Sequence, residues 1–315
     1  MKTQGKMSER HNTVTKLHLA IAQIKPTKGH YETNLQRVAD LFSQLEEELP
    51  HTDVLVLPET VLSGYFLEGG VREVARPAET VYADLLRLYR ERVHRSEACL
   101  DIVLGFYELW DGRYYNSALY ATLAAPSSAV EPGLKHVHRK FFLPTYGVFD
   151  EKRFVSRGRT FRAFDTRFGR AAILICEDIW HSVSSTIVAL KGAQILYIPS
   201  ASPGREFTGK NVGNIAHYNI LLPAIASEHG IWVVYAGLVG FEGGKGFTGS
   251  SQVVDPWGQC LVIGSDRDEC IVTATIDRED VAIARATSPL LADLEANLGD
   301  VVAELDVAAQ RVHRE

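Results

Sequence analysis

A thiol, an ammonium and a carboxylate each follow a run of strand-like residues in this chain. Cys176 comes after AAILI, Lys140 after the alternating LKHVHR, and Glu59 after DVLVLP. Apolar runs of this kind suit strands buried on both faces. All three residues are therefore expected at or just past strand ends, where α/β folds gather their sites. Together they suit acyl transfer at a carbonyl or nitrile carbon. The thiolate attacks, the carboxylate takes and returns protons, and the ammonium steadies the developing oxyanion with help from the backbone N–H after the nucleophile. Opposite charges at close range also hold Lys140 and Glu59 ionised. A helix start stabilises anions, so a cysteine there can become a thiolate near neutral pH. Taken singly, each residue has an ordinary reading: an inert core cysteine, a lysine that snorkels to solvent, a solvated glutamate opening a loop. His136 and His138 share one strand face, but no third zinc ligand accompanies them.

The elements that would position these residues alternate through the first half. Strands are read at 17–24, 53–57, 100–107, 115–122, 134–139, 160–165, 171–175, 194–199 and 231–235. Further short strands around tight turns are read between 251 and 276. Helices are read at 31–49, 81–96, 180–191, 212–229 and 278–284, with one last amphipathic helix at 290–310. Asp111-Gly112 is a turn signal that makes a hairpin of the strands on either side. The stretch 146–154, aromatic and charged together, suits a loop over a pocket. The glycine-rich 241–251 lacks the Gly-Lys-Ser/Thr ending of a phosphate loop. The pattern is α/β with mixed sheets, in one main domain.

Composition bounds the function. The chain has 315 residues, 46% of them hydrophobic and 23% charged, as in ordinary globular proteins. Its net charge of −6 and the lack of a basic stripe argue against nucleic acid as the main partner. No apolar run approaches a membrane span, and no secretory signal is visible. The four cysteines, Cys99, Cys176, Cys260 and Cys270, lie far apart and read as reduced thiols of a cytoplasmic protein. Residues 1–12 are expected to be a flexible tail, 13–287 the main domain, and 288–315 a helical extension at a subunit interface.

The order and spacing of LPET (Glu59), HRKFFLP (Lys140) and LICED (Cys176), with the later FTGSS and DPWG, resemble the carbon–nitrogen hydrolase (nitrilase) superfamily over residues 15–285. The resemblance implies a four-layer αββα sandwich that pairs into a homodimer or larger assembly and needs no cofactor. It implies Glu59 as general base and acid, Lys140 as oxyanion stabiliser, Cys176 as nucleophile and the Glu177 N–H as second oxyanion donor. Glu151 resembles the second glutamate that assists the site in many relatives. KFFLPTYGVFDEKRF, CEDIW and SASP resemble the glutaminase domain of glutamine-dependent NAD synthetases. No Ser-Gly-Gly-x-Asp-Ser pyrophosphate loop occurs in these residues, so NAD synthesis is not expected of this chain by itself. Glu177 and Asp178 after the cysteine, in place of the Trp-Glu of nitrilases, favour amide over nitrile hydrolysis. The expected activity is hydrolysis of a small linear amide, with a glutamine-like amide first. Tyr65, Tyr146, Glu177, Ser200 and Ser202 are expected to shape the pocket, and Arg205 or Lys210 is the candidate for a substrate carboxylate. The alternatives are an ammonia-supplying subunit for a separate synthetase, nitrile hydrolysis, and a catalytically idle scaffold.

Overall fold

The computed structural model describes residues 16–208 and 211–312. The expected tail at 1–12 and Lys210 therefore lie outside the described residues. Two six-stranded mixed sheets form the centre. The first runs, edge to edge, Cys270–Asp277, Lys16–Gln23, Val54–Val56, Cys99–Trp110, Arg113–Ala124, Gly133–Arg139. The second runs Cys260–Ile263, Gln252–Val254, Trp232–Gly237, Ile195–Ser200, Gly169–Ile173, Ala163–Thr166.

The two-residue period of a strand sorts side chains between layers. Leu17, Leu19 and Ile21 point into the core between the sheets, where they join Ile195, Tyr197, Trp232 and Val234 of the second sheet. Ala20 and Ala22 point the other way, under the helices Tyr31–Glu48 and Ala78–Arg92. The first of these helices buries Leu35, Val38, Phe42 and Leu45 on one stripe. On the far side, Leu196, Ile198, Val233 and Tyr235 pack under Ser182–Leu190 and Gly213–His229 with Val188, Leu222 and Ile225. The layers are thus helix, sheet, sheet, helix.

The hairpin at Asp111-Gly112 forms as expected, with φ of 49° and 69° at its two central residues, the primed-turn geometry that matches strand twist. Three elements differ from the sequence reading. The glycine-rich stretch hides a hairpin, Val239–Glu242 with Lys245–Thr248, whose turn uses Gly243 and Gly244 in the left-handed region. The last helix is two, Leu290–Ala296 and Leu298–Val312. Asn297 breaks it, its side chain donating back to the Asp293 carbonyl at 2.8 Å while its own carbonyl starts the next helix. The helix expected from 180 begins at Ser182, because Cys176–Trp180 forms a separate 3₁₀ turn.

Candidate active site

Glu59, Lys140 and Glu151 form one buried cluster. Glu59 is fully buried, Lys140 1% exposed and Glu151 7% exposed. Lys140 Nζ donates to Glu59 Oε1 at 2.8 Å and to Glu151 Oε1 at 2.7 Å. A buried ammonium persists only with anionic partners, and here it has two. This rules out the snorkelling reading of Lys140. Burial by itself would lower the lysine pKa, but the charges of Glu151 and Glu59 outweigh it and hold Lys140 well above its ordinary range.

Each arm of the cluster is aimed by the local chain. Glu59 follows the strand Val54–Val56, and its loop crosses Gly105 so closely that a Cβ there would lie 2.5 Å from the Glu59 Cα. Asn116 Nδ2 donates to Glu59 Oε1 at 2.6 Å, and the Ala201 N–H donates to Oε2 at 2.6 Å. The two oxygens of Glu59 are thus held from different sheets, since Asn116 lies in the first and Ala201 directly follows a strand of the second. Lys140 directly follows Gly133–Arg139, and Gly158 passes over it, donating its N–H to the Lys140 carbonyl at 2.7 Å. Glu151 opens the one-turn helix Glu151–Phe154 inside the expected loop and accepts a hydrogen bond from the Tyr65 hydroxyl. Burial raises Glu151, Lys140 pulls it back, and Glu59 pushes it up again, to about 7.

Cys176 lies past the strand Gly169–Ile173, 6% exposed, with φ of 44°. A positive φ is uncommon for a residue with a Cβ. Cys176 and Lys140 are close enough for each charge to act on the other. The thiol is not the acidic group that a helix start can make it. Burial first, and then the Glu59 charge, push it up to about 12, against the opposing effects of Lys140 and the Ser200 hydroxyl. Desolvation is the largest of these effects, since the thiol is buried. Near neutral pH such a thiol keeps its proton unless a base takes it; the Glu59 side chain is already fixed by three donors.

The clamp that joins these arms was not read from the sequence. Asp178, fully buried, accepts the N–H groups of Phe141 and Phe142 on one oxygen, at 2.9 Å each. Its other oxygen accepts His138 Nε2 at 2.8 Å and the Ile175 N–H at 3.0 Å. One carboxylate therefore ties both flanks of Lys140 to the loop of Cys176. The signal in the sequence was the second acid of LICED. Asn116, also missed, showed only as a polar residue inside a strand of apolar ones.

The pocket residues divide. Tyr65 is buried against Glu151, and Tyr146, 47% exposed, donates its hydroxyl to Glu177 at 2.8 Å. Ser200 faces the Tyr218 hydroxyl at 3.2 Å, and Tyr218 lies 3.7 Å from Cys176 Sγ. Ser202 accepts from Asn214 at 2.9 Å in a separate buried network. In this loop it is the Ala201 N–H that reaches Glu59. Arg205 lies 5.4–5.6 Å from the rings of Tyr146, Phe149 and Trp180. Among the described residues no carboxylate makes an ion pair with it.

Comparisons with known proteins agree with this architecture. The chain is 28% identical to a glutamine-dependent NAD(+) synthetase of Thermotoga maritima over 84% of its length, but spans only 43% of that relative. It is 28% identical to a 2-oxoglutaramate amidase of Bacillus subtilis, covering 91% of this chain and 98% of the relative. The crystal structure of a carbon-nitrogen hydrolase from Helicobacter pylori G27 matches with a TM-score of 0.74 at 25% identity, over 90% of this chain and 98% of that one. The family model for carbon-nitrogen hydrolases matches residues 18–286, and by that match the chain belongs to this family.

Proposed function

We propose that this chain hydrolyses the terminal amide of a small linear substrate that also carries a carboxylate, in the manner of glutamine or its keto analogue. The reading is carried by the buried Glu59–Lys140–Glu151 cluster beside Cys176. Glu59 takes the thiol proton as the sulfur attacks the amide carbon. Lys140 Nζ and the Glu177 N–H hold the oxyanion. The tetrahedral centre collapses, Glu59 protonates the departing nitrogen, and the C–N bond breaks to give ammonia and a thioester. Glu59 then takes a proton from water, the resulting hydroxide displaces the sulfur, and the acid leaves as Cys176 regains its proton. Arg205, among aromatic rings and without an ion-pair partner among the described residues, supplies the fork for the substrate carboxylate. The match to an amidase along nearly the whole chain supports hydrolysis by this chain itself. The NAD synthetase matches support a second reading, in which the ammonia passes to a separate synthetase.

The test is ammonia release from a panel of amides and nitriles, with Cys176→Ala in parallel. Release from carboxylate-bearing amides that vanishes in the variant is the expected result. Arg205→Ala should raise KM for those amides and leave an uncharged amide unchanged. Release from nitriles alone would overturn the choice of reaction. Release that appears only with a synthetase present would favour the second reading. No release, with Cys176 also inert to a thiol reagent, would leave an idle scaffold.

A further inference from the structure

A groove of about 1180 Å³ lies along the outer edge of the first sheet, and neither Glu59, Lys140, Glu151 nor Cys176 lines it. Seven cationic side chains line it, against the single carboxylate of Asp111. Arg139 is ion-paired with Glu108 at 2.6 Å and stacks over Trp110 at 3.8 Å. Among the described residues none of the other six has a carboxylate within ion-pair distance. They come from four separate segments: Arg113 beside the hairpin turn, Lys135 on the edge strand, Lys152 on the one-turn helix, and Arg157, Arg159 and Arg162 on the extended chain that follows. A charge or two on an edge strand serves to prevent edge pairing. That need does not explain cations converging from three further segments, in a chain whose net charge is −6. The buried Nε2 of His136, which also lines the groove, has no hydrogen-bond partner among the described residues.

We propose that this groove binds a small polyanion with two or more linked phosphate groups. Clustered like charges repel one another, and a multivalent anion relieves that repulsion at several of them at once. Arginine forks match phosphate oxygens in pairs, which favours phosphate over a simple monovalent anion. Inorganic polyphosphate and a nucleoside polyphosphate share this chemistry. Trp110, 48% exposed at the rim, is the surface on which a base would stack.

Calorimetric titration of the full chain with tripolyphosphate, ATP and sulfate, at low and high salt, tests the proposal. Tripolyphosphate should bind at least about tenfold tighter than sulfate and weaken as salt rises. Arg159→Ala with Arg162→Ala should weaken it by about tenfold or more, with circular dichroism unchanged. Should that pair fail to fold, Lys135→Ala with Lys152→Ala tests two other walls in the same way. Tighter binding of ATP, reduced by Trp110→Ala, would identify a nucleotide as the source, and equal binding would identify free polyphosphate. Tripolyphosphate no tighter than sulfate, or a folded alanine pair that binds like wild type, would overturn the proposal.

Discussion

At the scale of single residues, the question is which group changes charge near neutral pH. Burial and Glu59 hold Glu151 at about 7. Below that pH the carboxyl is neutral, and Lys140 keeps only Glu59 as an anionic partner. The value of kcat/KM is therefore expected to fall as the pH drops through about 7. In Glu151→Gln this acid limb should disappear and the plateau should drop by about a hundredfold. A limb that survives unchanged in the variant would assign it to another group. Cys176, Lys140 and Glu59 were legible because each ends a strand-like run, a pattern that local physics writes into the sequence. The raised thiol could not be read, for the opposite reason. Desolvation depends on what packs around Cys176, and no neighbour in the chain announces that.

Elements decide how well those groups are aimed. Asp178 accepts four hydrogen bonds that join the Cys176 loop to both sides of Lys140. Asp178→Asn places an amide N–H among donors, so about 2 kcal/mol or more of stability should be lost in a urea melt. The fall in kcat should exceed any change in KM, because Lys140 shifts relative to the thiol. A variant with wild-type kcat would show that the clamp serves folding alone. Gly105→Ala would drive a Cβ into the Glu59 backbone, with an expected cost of about 1–3 kcal/mol in thermal stability and a matching loss of activity. The main strands could be read because they are apolar on both faces. The hairpin over 239–248 could not, since its glycines carry no periodic signal. Asn297 was passed over because the apolar spacing runs on across it, while the break lies in the backbone.

For the whole molecule, the last helix stands out by its exposure. Leu298–Val312 buries none of its residues, and Val301, Val302, Leu305, Val307 and Val312 are all exposed. Val301, Val302, Leu305 and Val312 share one face of the helix, and we propose that this face is an association surface. Val302→Asp with Leu305→Asp is expected to lower the assembled mass in sedimentation velocity and leave the unfolding free energy of the remaining species within about 0.5 kcal/mol of wild type. An unchanged mass would assign the helix another role. No helix among the described residues is long and apolar enough to cross a membrane.

The grip on Glu59 from two sheets has a consequence for how the enzyme would fail. Its oxygens are held by Asn116 and Lys140 on one side and by the Ala201 N–H on the other. Each sheet can keep its own ladder while the seam between them loosens. Catalysis then works as a gauge of that seam. On slow heating, turnover should fade before the far-ultraviolet dichroism does, because partial opening frees Glu59 from its donors at no loss of strand. Coincident loss of the two signals would mean that the sheets separate only as they melt.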